Sequence, residues 1–241
     1  CFIAQPIAAP AQIVAASGPH APAVGTAANG VPVTQIVAPT AAGVSRNQYQ
    51  QYDVTAQGVV LNNSPVAAQT QLAGFIAGNP ALTGSPARII LNEVTSSLPS
   101  TLRGFTEVGG SKAEVIIANP NGITCDGCGF INTSRGTLTT GTPVFGTGGS
   151  LDAFRVTSSQ ISVDGTGLNG SNTDQIDLIA RAIKINAAFW GKNINVIAGA
   201  HQIKYNDLST TAISDPGSSP AVAIDVAALG GMYANQIRRP S

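Results

Sequence analysis

The apolar residues of this chain come in short runs, and almost every run is closed by Gly, Pro, Asn, Asp or Ser. With 27 Gly and 15 Pro among 241 residues, few windows keep a 3.6-residue period through three turns, so helices are poorly supported. What remains is a long series of short strands rich in Val, Ile or Phe. They are expected at 34–37, 58–61, 71–76, 88–91 and 114–117, then at 154–157, 160–163, 175–179, 182–185, 193–197, 202–205 and 221–226. Alternation is clearest late in the chain. Ile183 and Ile185 fall on one face with Lys184 on the other, and Ile194 and Val196 oppose Asn193 and Asn195.

Many short strands suit a sandwich, a barrel or a β-helix, and three features favour the β-helix. Apolar strand centres return every few tens of residues or less, without a hairpin dipeptide between each pair. Asn62, Asn63, Asn92, Asn119, Asn121, Asn132, Asn186, Asn193 and Asn195 sit at strand ends, where Asn tolerates left-handed backbone and bonds its own chain. Charged residues are 10% and aromatics 5% of the chain, which leaves Val, Ile, Leu and Ala to fill a narrow coil. The charges also bear on partners. Twelve basic side chains cancel 12 acidic ones, so no basic surface for nucleic acid is expected.

Residues 1–45 carry no charged side chain. They lack the basic start of a signal peptide, and prolines from Pro6 to Pro39 interrupt any run long enough to cross a membrane as a helix. Residues 1–29 are expected to form an extended segment or cap. The chain opens on Cys1 and its one Met is Met232, as expected of a processed product or an excised piece. Residues 238–241 are then the tail leading into sequence not present here.

The most specific stretch runs from Ala113 to Pro143. Within it Asn119-Pro120-Asn121-Gly122-Ile123 is a turn signal with a mechanism. Pro120 fixes φ at the first central position, Asn121 bonds locally, and Gly122 permits positive φ. Asn119, preceding Pro, is held extended and ends the 114–118 strand. Upstream, Gly78-Asn79-Pro80-Ala81-Leu82 has a similar form. Further pieces are Gly43-Val44-Ser45-Arg46-Asn47-Gln48-Tyr49, Gly58 to Ser64, Ala87 to Val94, and Ile224-Asp225-Val226 through Gly230-Gly231-Met232-Tyr233-Ala234.

In these motifs and their order, residues 30–237 resemble the two-partner secretion domain of filamentous haemagglutinins, haemolysins and contact-dependent growth-inhibition exoproteins. Asn119 to Ile123 matches the family's Asn-Pro-Asn-Gly-Ile motif in full. Asn79 to Leu82 aligns with its Asn-Pro-Asn-Leu motif, with Ala81 where the family has Asn. The resemblance implies an all-β fold, a right-handed parallel β-helix with an N-terminal cap and small extra-helical β-sheets. It implies a secretion signal that nucleates β-helix folding, and no enzyme activity. The implied partner is an outer-membrane β-barrel transporter with periplasmic POTRA domains. The implied route runs through the periplasm to the cell surface, with downstream β-helical repeats and in some members a C-terminal toxin on the same polypeptide. A monomer is expected.

The residues expected to serve transporter recognition, or to be structural corners of the coil, are Asn119, Pro120, Asn121, Gly122 and Ile123, with Asn79, Pro80, Leu82, Asn92 and Glu93. Ala81 removes an amide from the second turn and weakens the expectation of direct recognition there. An alternative function is that of an adhesin module binding host or neighbouring-cell ligands. A polysaccharide-lyase-like enzyme would need Asp clustered with Lys or Arg on one face, and the basic residues are scattered.

Cys125-Asp126-Gly127-Cys128 admits three readings: half a zinc site, a redox-active pair, or a local disulfide. No second Cys pair and no His pair accompany it, since His20 and His201 are isolated. No βαβ pattern surrounds it. The resemblance, which implies passage through an oxidising periplasm, favours the disulfide Cys125–Cys128, with a small local gain because the loop is short. Cys1 is the odd thiol. No metal site, cofactor, phosphate loop or triad is expected. Asp174 with Asp177, and Asp152 with Asp164, are expected to be solvated carboxylates.

Overall fold

The computed structural model describes residues 13–214, 223–226 and 231–238. Their backbone winds into a parallel β-helix with three faces. One face is an eight-stranded sheet. Its parallel core stacks Val44–Tyr52, Ile89–Val94, Ala113–Ala118, Thr133–Thr139, Gln175–Ala180, Asn193–Ala198 and Gln236–Arg238. The other two faces belong to an eleven-stranded sheet that bends along a corner. Ile123–Ile131 shows how. Its first half lies beside Ser100–Leu102 and its second half beside Phe105–Gly110. Between the halves, the pairing with Gln160–Gly170 jumps from Asp126↔Asp164 to Cys128↔Leu168. Gly127, Gly165 and Gly167 supply positive φ at this corner, and Gly167 has the backbone of Ala188 too close for a Cβ.

Coil stacks on coil in register. Ser100 lies beside Ile123, and Gln160 beside Ala182. The lumen is filled by side chains from all three faces, among them Val115 and Ile117, Leu61 and Phe130, Ile161 and Val163. Strand alternation sends the intervening residues outward, yet Ile116, Ala118, Ile179 and Ile197 are buried as well. They are covered by a four-stranded antiparallel sheet, Thr142–Phe145, Leu151–Arg155, His201–Lys204 and Thr210–Ala212, which leaves the coil in two excursions. Burial on both faces is why 115–118 reads as an unbroken apolar run. A second patch, Val33, Val60, Ala73 and Ile76, is closed by the Ala68–Gln69 and Phe75–Ile76 hairpin.

The two ends differ. At the first, Ile13–Ala15 runs antiparallel to Val44–Tyr52 and Ala23–Thr26 antiparallel to Pro32–Gln35, so the coil edge is capped. At the other end Ile224–Val226, Gly231–Tyr233 and Gln236–Arg238 are the outermost strands among the described residues. The cap and the extra-helical sheets are those expected from the resemblance.

Most expected strands are present, and the differences have physical causes. Residues 71–76 are not one strand. The Glu107 carboxylate accepts the N–H groups of Gln71 and Leu72 at 2.7 and 2.8 Å, and Gly74 turns the chain with φ +69°, making a hairpin. The polar strands Val44–Tyr52 and Thr133–Thr139 lack the apolar alternation that marks a strand. Asn62 and Asn63 close the Val59–Asn63 strand as expected, whereas Asn92 and Asn195 lie inside strands, and all four are buried. The part of 221–226 before Ala223, and the tail beyond Arg238, lie outside the described residues.

Candidate functional site

The two Asn-Pro turns share one construction. Asn119 ends the Ala113–Ala118 strand and is fully buried. Its Nδ2 donates to the Leu98 carbonyl and to Ser100 Oγ, both at 2.9 Å, in the preceding coil. Its backbone N–H donates to Thr139 O in the following coil at 2.9 Å. Its Oδ1 accepts the Asn121 N–H at 2.9 Å, and the turn closes with Gly122 N–H to Asn119 O at 3.1 Å. One side chain thus sets the corner and fastens it to the coil beneath. Gly122 has φ +113°, as the turn signal requires, and Ile123 enters the lumen.

Asn79 repeats this after the Ala68–Gln69 and Phe75–Ile76 hairpin. It is 1% exposed, and its Nδ2 donates to Ile36 O and Asn62 O at 2.9 and 3.0 Å. Its Oδ1 accepts the Ala81 N–H at 2.9 Å, and Leu82 N–H reaches Asn79 O at 3.1 Å. Leu82 then enters the lumen. This corrects the reading of Ala81. The amide that makes the turn belongs to the first Asn, so Ala81 leaves the turn intact. What the second Asn adds is seen in Asn121, whose Nδ2 donates to Ser96 O at 2.8 Å from an exposed position. Only Pro80, Ala81 and Asn121, with part of Pro120, meet solvent in these turns.

Asn92 and Glu93 take opposite sides of the Ile89–Val94 strand. Asn92 faces the lumen, accepting from Tyr49 Oη at 3.0 Å and donating to Ile116 O at 3.2 Å. Glu93 faces outward and pairs with Arg46 at 2.8 Å and with Gln48 Nε2 at 3.0 Å. Arg46 in turn lies 4.5 Å over the Phe145 ring, tying the coil to the covering sheet.

Asp177 was missed as a structural anchor. It is fully buried, not solvated, and accepts from Arg135 Nε at 2.6 Å, Thr137 Oγ1 at 3.2 Å, Gln175 Nε2 at 2.9 Å and Asn195 Nδ2 at 2.7 Å. Arg135 also lies 4.2 Å over the Tyr205 ring, and the Tyr205 hydroxyl donates to Glu114. Burial works against the guanidinium charge, but Asp177, Tyr205 and Glu114 outweigh it and hold the Arg135 pKa above its ordinary value. The only signal in the sequence was an Arg and an Asp on strands that prove to be neighbours. Asp174 is solvated as expected, and is held below the usual carboxylate range by Lys192 and Lys112.

Cys125 and Cys128 are joined, with Cα atoms 5.3 Å apart. The bond spans the bend in Ile123–Ile131, with both sulfurs inside the lumen. Among the described residues no group of three or more His, Cys, Asp or Glu side chains gathers to hold a metal ion, and no helix is long and apolar enough to cross a membrane.

Comparison with known proteins settles what this construction is. The family profile described as the TPS secretion domain matches residues 11–241. The chain belongs to the TPS secretion domain family. Among curated proteins it is similar to "tRNA nuclease CdiA-2" of Burkholderia pseudomallei (strain 1026b), 52% identical over 233 residues, covering 96% of this chain and 7% of that protein. It is similar to "Toxin CdiA" of Yersinia pestis, 47% identical over 237 residues with the same coverage. It is 49% identical over 214 residues to "16S rRNA endonuclease CdiA" of Enterobacter cloacae, covering 88% of this chain and 6% of that protein. Among solved structures, the crystal structure of the filamentous hemagglutinin secretion domain aligns with a TM-score of 0.87 at 35% identity, covering 94% of this chain and 77% of that one. The chain thus spans about 7% of the length of the curated relatives. As a TPS secretion domain it is the export module of a protein secreted to the cell surface by the two-partner pathway.

Proposed function

We propose that this TPS secretion domain is recognised, before it folds, by the periplasmic POTRA domains of an outer-membrane β-barrel transporter, and that it then folds outside as a monomer and starts the β-helix of the polypeptide that follows. Recognition uses the backbone and side chains of the extended chain around Asn79–Leu82, Asn92–Glu93 and Asn119–Ile123, in the manner of strand addition to a sheet edge. The observation that carries this reading is the burial of Asn79, Asn92 and Asn119. Their amides are consumed by the folded coil, so a partner that reads them meets the chain unfolded. The catalytic activities in the relatives' names belong, in this reading, to the large part of those proteins that this chain does not span, and the domain itself is not an enzyme.

The test is binding of this chain, native and denatured, to the POTRA region of a cognate transporter. Tighter binding of the denatured form is expected. No binding in either state, with the transporter fragment shown to be active, overturns the proposal and leaves adhesion to host or neighbouring-cell ligands as the reading to pursue.

A further inference from the structure

The Cys125–Cys128 bond lies where an oxidant cannot approach it. Cys125 is fully buried and Cys128 is 3% exposed. Along the stack Cys125 is flanked by Leu102 and Val163, and Cys128 by Leu168. The Cys125 sulfur sits 3.3 Å from the carbonyl oxygen of Gly167 in the next coil. In the following coils the same two columns hold Val163 with Leu168, then Ile185 with Phe189. The sulfurs therefore stand in for core aliphatics. Disulfide formation needs a thiolate to attack the sulfur of an incoming disulfide. In the stacked coil that requires Ile123–Ile131 and Gln160–Gly170 to separate.

The pair is also local. The two residues are three apart in sequence, with Gly127 at φ +86° between them. A Cα separation of 5.3 Å lies within β-turn range, a conformation that an unfolded chain visits often, and closing so short a loop costs little entropy. The two cysteines and the turn between them lie within four consecutive residues.

We infer that the Cys125–Cys128 disulfide is made on the unfolded chain, by a disulfide-bearing oxidant, and that coil stacking then seals it. One cysteine thiolate attacks the oxidant's disulfide and expels a thiolate, leaving a mixed disulfide. The other cysteine thiolate attacks the mixed disulfide and expels the second sulfur. Two electrons and two protons pass from the cysteine pair to the oxidant, which leaves as thiols. Thiol oxidation therefore precedes folding in the life of this domain. The inference rests on burial and register and is independent of how the chain is exported.

The test uses a Cys1→Ser variant, so that only this pair reports. The variant is reduced in denaturant, returned to native conditions without oxygen, and confirmed as folded by circular dichroism. Native and urea-denatured samples then meet glutathione disulfide, and remaining thiols are counted by alkylation and mass spectrometry. Oxidation of the denatured chain is expected to be at least ~100-fold faster at every oxidant concentration, because the native chain reacts only in the small fraction of molecules whose coil is open. Failure of the reduced chain to fold, while the pre-oxidised chain folds, also upholds the order. A native rate within tenfold of the denatured one overturns it.

Discussion

Replacing Asn119 with Ala tests whether one buried amide holds the corner between coils. The side chain makes four hydrogen bonds: to Leu98 O, to Ser100 Oγ, and from the Asn121 backbone and side-chain N–H groups. A buried neutral bond contributes about 0.5–1.5 kcal/mol net. Ser100 is 1% exposed, so its hydroxyl loses a partner it cannot replace with water, and the Asn121 N–H is set only by Asn119. These two bonds count for about 1 kcal/mol each, and the more exposed pair for about 0.5 kcal/mol each. The expected loss is about 3 kcal/mol. Asn121→Ala removes only the bonds to Ser96 O and Asn119 Oδ1, at the surface, and is expected to cost at most about 1 kcal/mol. The difference of about 2 kcal/mol is roughly a 30-fold change in the unfolding constant. Urea titration reads it through the single tryptophan, Trp190, which stacks on Tyr233 with centroids 6.0 Å apart. Equal costs for the two variants, or a loss below 1 kcal/mol for Asn119→Ala, would refute the assignment of the corner to the first Asn.

Ala81→Asn is expected to change stability by less than about 0.5 kcal/mol in the same titration, because the Asn79 turn is complete without it. Glu107→Ala removes the acceptor of two loop N–H groups and should cost about 2 kcal/mol, with hydrogen exchange at Gln71 and Leu72 rising before that of the coil. Tyr49, Tyr52 and Tyr205 have pKa values raised above the ordinary 10.0, chiefly by burial. Their neutral forms are the stable ones in the folded state, so this contribution is full below pH 10 and is lost as pH rises above it. Tyrosinate absorbance from these three should therefore appear only together with unfolding, and ionisation in a chain that keeps its native circular dichroism would contradict their burial.

The strands legible in the sequence were those whose outward positions are polar or whose two faces are both apolar. Ile183, Lys184 and Ile185 fall as alternation predicts. Val44–Tyr52 and Thr133–Thr139 were invisible because their outward side chains are matched to residues far along the chain, Arg46 to Glu93 and Arg135 to Asp177. Such pairs carry no local period. The turn at Asn119 was legible for the same reason that it forms, since Pro and Gly act within four residues. Its grip on Leu98 and Ser100 was not, because that depends on which coil lies beneath. The Cys pair could be placed by the family resemblance, but not its position across a bend in a long strand, which arises from Gly127 and the facing Gly165 and Gly167.

The same amides serve both halves of the proposal, and this gives the signal a direction. In an extended chain the Asn79 and Asn119 side chains are free donors and acceptors next to a proline that keeps the strand straight. In the folded coil every one of those groups is taken, by Ile36 and Asn62 in one case and by Leu98 and Ser100 in the other. Folding therefore withdraws the groups that a transporter would read. It also buries the aliphatic lumen, and reopening the chain would cost that burial again. On this proposal, a chain that has folded outside no longer presents those amides to the transporter. The near cancellation of charge fits this picture, since a signal read through backbone and amide hydrogen bonds gains little from long-range steering. On this argument the Asn-Pro motifs need no exposed surface in the folded state. Variants that keep the fold while altering only Pro80 or Ala81 should then unfold normally, and any effect they have should be confined to the rate at which the unfolded chain is engaged.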